Sequence, residues 1–121
     1  MGVDINWAFQ RQDQAGTWTS IPSNFSGDRS YFFFSWLGYE PRRTWTSTTN
    51  PIHALRGLPK DIAADDEDMY GQHSFSWLTA NEILSATLPV DPGEIVLEFV
   101  EEVKRLQAQY GNIRFVFGFE G

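Results

Sequence analysis

The stretch "IRFVFGF", residues 113–119, puts Ile113, Phe115, Phe117 and Phe119 on one side of an extended chain. So apolar a run suits a central strand with a helix laid against it. The helix stands just upstream. Ile95, Val96, Phe99, Val100, Val103 and Leu106 mark one helical face, and Glu98, Glu101, Glu102 and Arg105 mark the other. Asp91-Pro-Gly-Glu94 reads as its start, with Asp91 as the cap and Pro92 at the first helical position, and Gly111 stops it.

The same period of two recurs at the other end of the chain. Val3, Ile5, Trp7 and Phe9 alternate with Asp4, Asn6, Ala8 and Gln10, which predicts a strand with one buried face. Asp13 to Gly16 is turn chemistry, and Thr17 to Ile21, carrying Trp18, is the return strand of a hairpin. The run Ser30 to Gly38 is read as a short helix, with Ser30 or Asp28 as N-cap and Gly38 past its end. Arg42 to Asn50 is a loop, and Asp61 to Tyr70 is a weak helix or a loop. "GQHSFSWLT", residues 71–79, is a strand running into a helix over Ala80 to Ala86, because Thr79 and Glu82 have capping-box spacing. The expected fold class is α+β. A small antiparallel or mixed sheet, made of the N-terminal hairpin, a central strand and the C-terminal strand, is packed by two or three helices in two layers.

The chain of 121 residues is long enough for one domain, 1–121, with a real core. It has no cysteine, which removes disulfides and thiolate-bound zinc. The first ten residues lack the basic-then-apolar pattern of a secretory signal, and no apolar run approaches bilayer length, so a cytoplasmic protein away from membranes is expected. A net charge of -7 argues against nucleic acid as partner. The segment Arg29 to Lys60 runs against that balance. Its five basic residues, Arg29, Arg42, Arg43, Arg56 and Lys60, face one acid, Glu40, which could attract a small anion. The aromatic excess suggests an apolar face covered by a second copy, a possible homodimer.

No nucleotide-binding glycine motif is present, and His53 and His73 lack metal-motif spacing. In a regular strand, His73, Phe75 and Trp77 point one way and Gln72, Ser74 and Ser76 the other, which separates His73 from both serines. Of the aromatics near the arginines, Trp36 is read as core, while Trp45 could stack on a ligand ring.

Several stretches, in order, carry a resemblance: MGVDIN at the start, Arg29-Ser-Tyr-Phe-Phe-Phe, Arg56-Gly-Leu-Pro59 with Asp61, His73-Ser-Phe-Ser-Trp-Leu-Thr79, and Ile113 to Phe119. Together they resemble small tailed-phage and prophage proteins that open MGCDIH and carry RGLPxD, HSHSWLT and VRIVFWFDN motifs. The resemblance implies a phage-associated protein of the host cytoplasm that acts on host functions or defences. Where that pattern has histidines, this chain has Asn6 and Phe75. Of four groups that could hold a transition metal, only Asp4 and His73 remain, so neither a metal nor another cofactor is expected.

The leading expectation is therefore a non-enzymatic, phage-type binding protein that counters host defence by capturing a small anionic, nucleotide-like ligand or a host protein. Its candidate lining residues are Asp4, Asn6, Arg29, Arg56, His73, Ser74 and Ser76, with no catalytic residue assigned. The alternatives are a hydrolase with a degenerate metal or acid-base site at Asp4 and His73, and an acidic immunity-like protein. The last would present Glu98, Glu101 and Glu102 to a basic partner.

Overall fold

In the computed structural model, which describes residues 2–121, the C-terminal alternation is strand β4, Ile113–Glu120, and it lies inside a four-stranded antiparallel sheet. The hairpin is β1, Asp4–Gln12, and β2, Trp18–Ile21; the remaining strand is β3, His73–Thr79. The order is β2-β1-β4-β3, so β4 pairs with β1 on one side and β3 on the other. The helices are α1, Tyr31–Leu37, α2, Ala80–Ser85, and α3, Gly93–Tyr110, with a 3-10 segment at Ala64–Tyr70. This is a small α+β fold.

Local chemistry sets most boundaries as expected. The Ser30 hydroxyl accepts from the Phe33 amide at the start of α1, and Gly38 ends it at φ 118°. Thr79 and Glu82 close a reciprocal capping box. One boundary differs. Asp91 makes no capping bond to α3, and its φ of 51° lies in the left-handed region. An N-cap needs extended backbone to bring its oxygen over the first amides, so the helix opens after Pro92 instead.

One sheet face meets the helices. Phe9, Phe115, Phe117 and Phe119 pack there with Phe33, Phe34, Trp36 and Phe99. The aromatic excess is thus largely the interior of a single copy: eleven Phe, Trp and Tyr side chains are buried. The opposite face carries Asp4, Asn6, Arg114 and Glu120 at its ends, but its middle is Ala8 and Val116. A strand apolar on both faces needs cover on both. The chain from Leu58 through Tyr70 supplies it, joined by Phe75 and Trp77, as a thin layer behind the two principal ones.

Gly118 makes that cover possible. A Cβ there would overlap the Tyr70 carbonyl oxygen and come to 2.6 Å from Phe75 Cδ1. Gly118→Ala should destabilise the protein by about 1–3 kcal/mol, as overpacking against backbone does. Urea unfolding measures this, and an unchanged midpoint would mean that the Tyr70 segment yields freely.

The strand β3 departs from regularity in a way that matters for the site. His73 pairs with Phe119 and Ser76 with Phe117, so two residues on β3, Ser74 and Phe75, stand opposite one on β4, Gly118. The extra residue is a bulge at Ser74, whose φ is 59°. The side-chain alternation resets across it. His73 shares the helix-side face with Ser76 and Leu78, while Phe75 and Trp77 lie on the other face. The regular-strand expectation, with His73 alongside Phe75 and Trp77, is therefore corrected.

Candidate functional site

The seven residues expected to line a site fall into two groups. Asp4, Asn6, Arg29, His73 and Ser74 gather near the end of β4, where nearly every charge is already matched. Arg29 grips Asp4 with two bonds of 3.0 Å, Nε to Oδ1 and Nη2 to Oδ2, and this carboxylate raises the guanidinium's pKa. Asn6 donates to the Glu120 carboxylate at 3.1 Å. His73 Nε2 lies 3.3 Å from the Gly121 carbonyl oxygen and Nδ1 lies 2.9 Å from Ser74 Oγ. A carbonyl can only accept, so Nε2 donates to Gly121. The bulge thus joins His73 to Ser74, contrary to the expected separation. Asp4 and His73, the acid-base pair considered from the sequence, lie on opposite faces of the sheet, and Asp4 is held by Arg29. Among the described residues no three His, Asp or Glu side chains converge as metal donors would.

Two other expectations concern aromatics and acids. Trp36 is core, as read. Trp45 is stacked on Tyr31, at 4.3 Å and 1° between planes, and on Tyr39 at 5.2 Å, so its ring is engaged within the fold. Glu102, assigned to the exposed face of α3, is buried, because the chain after β2 folds back over it. Its carboxylate accepts from Ser23 Oγ and the Asn24 amide, and Arg105 closes on it from one turn further along. The acidic face is correspondingly poorer, since Glu101 is also paired, with Lys104 at 3.2 Å.

The second group, Arg56 and Ser76, belongs to a different place. Ser76 is buried and accepts from the Arg56 amide at 3.1 Å, while Gly57 donates to the Phe75 carbonyl. These bonds lay the segment 56–61 along β3 and over the second sheet face. There a cavity of about 470 Å³ opens, lined by Trp18, Arg56, Leu58, Pro59, Lys60, Asp61, Trp77 and Arg114. All four strands contribute to this region. Gln12 faces Trp18, Gln10 faces Arg114, and Val116 faces Trp77, all on this face.

Each guanidinium in the wall lies over an indole ring. The Arg114 group lies 4.2 Å from the Trp18 ring centre, and the Arg56 group 4.2 Å from that of Trp77. Arg114 is only 4% exposed; it donates to Gln10 Oε1 at 2.8 Å and Asp61 Oδ1 at 2.9 Å. Arg56 pairs with Glu82 Oε2 at 2.5 Å. Burial pushes the Glu82 carboxyl up, but Arg56 and the Thr79 amide outweigh it, and the net pKa is below the ordinary value. Burial raises the Tyr70 phenol, with Asp66 adding to it, so the ring stays neutral beside this face.

What distinguishes this cavity from the Asp4 cluster is what is left over. Arg114 Nη2 and Arg56 Nε are buried and meet no acceptor within the protein, and the Tyr70 hydroxyl is likewise unpartnered. A buried donor without an acceptor costs about 1–3 kcal/mol, so such atoms are rare and call for a partner. Lys60, exposed at the rim, has no carboxylate partner among the described residues. Arg56 alone of the seven expected residues lines this cavity. Trp18, Trp77 and Arg114 were not singled out from the sequence as site residues. The available signal was Arg114, a charge inside an otherwise apolar central strand. The segment Arg56-Gly-Leu-Pro-Lys-Asp61 supplies five of the eight lining residues.

No protein-family model, no curated protein and no solved structure matches this chain. Among the described residues no helix is long and apolar enough to cross a membrane.

Proposed function

We propose that this chain is a non-enzymatic binding protein of phage type that captures a small anionic ligand in the cavity between Trp18 and Trp77. The observation that carries the reading is a cavity wall that contains two guanidinium groups, Arg56 and Arg114, and whose rim holds Lys60 with no carboxylate partner among the described residues. Guanidinium groups are the side chains best fitted to carboxylate and phosphate oxygens, and a desolvated one gains most from such a partner. The cavity falls within the roughly 300–1,000 Å³ typical of small-molecule sites. The resemblance to phage and prophage proteins supports a setting in an infected host cell, where removing an anionic signal would blunt a defence. A local cationic cavity in a chain of net charge -7 admits a small anion and repels nucleic acid.

Native mass spectrometry of protein purified gently from expressing cells tests this. The wild-type chain is expected to carry an added small-molecule mass, and Lys60→Glu is expected to lose it with an unchanged melting temperature, because Lys60 has no structural partner. Equal retention by both proteins would move the ligand away from this cavity. A bare wild-type chain would overturn small-ligand capture and leave a host protein as the partner to seek.

A further inference from the structure

We infer that the ligand of the Trp18–Trp77 cavity is a flat aromatic ring carrying a single negative charge. This inference rests on the small-anion reading above and names the ligand's class. Two independent features of the wall lead to it, one concerning charge and one concerning shape.

The charge follows from the pairing. Four charged groups line the cavity, Arg56, Lys60, Arg114 and Asp61, and Glu82 pairs with Arg56 from outside it. Glu82 neutralises Arg56 and Asp61 neutralises Arg114, each through a direct ion pair. Lys60 is the one cation left, so the wall has a surplus of one positive charge. A ligand with one negative charge balances it. A polyphosphate would bring its further charges against the Asp61 carboxylate, which is 57% exposed at the rim, and against a chain that is already acidic.

The shape follows from what else lines the wall. A phosphate or carboxylate alone is far smaller than a cavity of about 470 Å³. The remaining volume is bounded by Trp18, Trp77, Leu58 and Pro59, none of which offers a charged group. The two indoles are fixed by their guanidinium partners at 4.2 Å, so their planes are set before a ligand arrives. Rigid indole and guanidinium planes favour a ring that can pack flat on them, as bases do on aromatic platforms in single-strand readers. The anion then lies toward Lys60. Two ordinary chemistries share this description: a cyclic nucleoside monophosphate, whose phosphodiester has one charge, and an aromatic carboxylate.

Titration of the wild-type protein, followed by tryptophan fluorescence and calorimetry, separates the possibilities. The probes are cyclic uridine monophosphate, indole carboxylate, uridine, ribose phosphate and uridine triphosphate. The expected result is that at least one ring-bearing monoanion binds about tenfold or more tightly than the neutral nucleoside and the ringless phosphate. The triphosphate should bind more weakly than the cyclic monophosphate. Trp18→Leu should remove most of the ring's advantage while leaving the weak binding of ribose phosphate in place. Comparison of the cyclic nucleotide with the carboxylate identifies which of the two sources fits. If ribose phosphate binds as tightly as either ring-bearing monoanion, the ring is wrong and small-anion capture stands. If the triphosphate binds tightest, the single charge is wrong. If none of the probes binds although a mass is retained in the native spectrum, the class itself is overturned.

Discussion

Replacing Phe99 by alanine should lower the unfolding free energy by about 3–5 kcal/mol, the loss expected when a fully buried phenyl ring is removed and its cavity only partly collapses. Phe99 is wholly buried where α3 crosses the sheet. Its ring meets five others: Phe115 at 4.8 Å, Phe33 at 4.9 Å, Phe25 at 5.3 Å, Phe9 at 6.0 Å and Trp36 at 6.4 Å. Those rings come from β4, α1, the loop after β2, β1 and α1 again, so one side chain joins most of the helix-side layer. With total stabilities of about 5–15 kcal/mol, such a loss approaches unfolding. Urea denaturation of the variant measures it, with Val90→Ala as the comparison. Val90 is 89% exposed and should change stability by less than about 0.5 kcal/mol. A loss at Phe99 below about 1 kcal/mol would mean that α3 does not pack on β4 as described.

The fold was legible because its elements are each specified locally. The alternation of Ile113, Phe115, Phe117 and Phe119 marks a strand whatever surrounds it, and the period of α3 marks its inner face. Thr79 and Glu82 announce a helix start through bonds that span three residues. The candidate site was legible only in part, because its decisive contacts join distant residues. Trp18 and Arg114 meet across ninety-six positions of chain, and the pairing of Arg114 with Asp61 spans fifty-three. Nothing in either neighbourhood specifies the other. The bulge at Ser74 is a different kind of failure. A positive φ is ordinarily signalled by glycine or asparagine, and a serine there hides it. Counting by twos through residues 73–77 therefore assigns Phe75 and Trp77 to the wrong side. Glu102 was misplaced for a third reason, since its position on α3 is solvent-facing until Ser23 and Asn24 return to cover it.

That same Glu102 should dominate the acid stability of the protein. The Arg105 guanidinium bonded to it, together with Ser23 and the Asn24 amide, outweighs the effect of burial and brings its pKa from 4.5 to about 2. A carboxyl whose pKa is depressed by folding stabilises the folded state fully above its unfolded value. The contribution is lost as the pH falls from about 4.5 through about 2. A shift of this size corresponds to a contribution on the order of 2–3 kcal/mol at neutral pH. Glu102→Gln keeps the volume of the side chain but removes its charge, and its amide nitrogen cannot accept from Arg105 or Ser23. The variant should therefore be less stable than the wild type by about 2–3 kcal/mol at pH 7, with the gap closing as both are acidified. The structural consequence is specific: the chain at Ser23 and Asn24 is held to α3 by this carboxylate, and it carries Phe25 onto Phe99 and Trp7. Loosening it should expose the Trp7 edge of the core, which a shift in tryptophan emission would report. Urea unfolding of both proteins at pH 7, 4.5 and 3 decides the matter. A stability gap that stays constant over that range would show that Glu102 acts by packing rather than by charge.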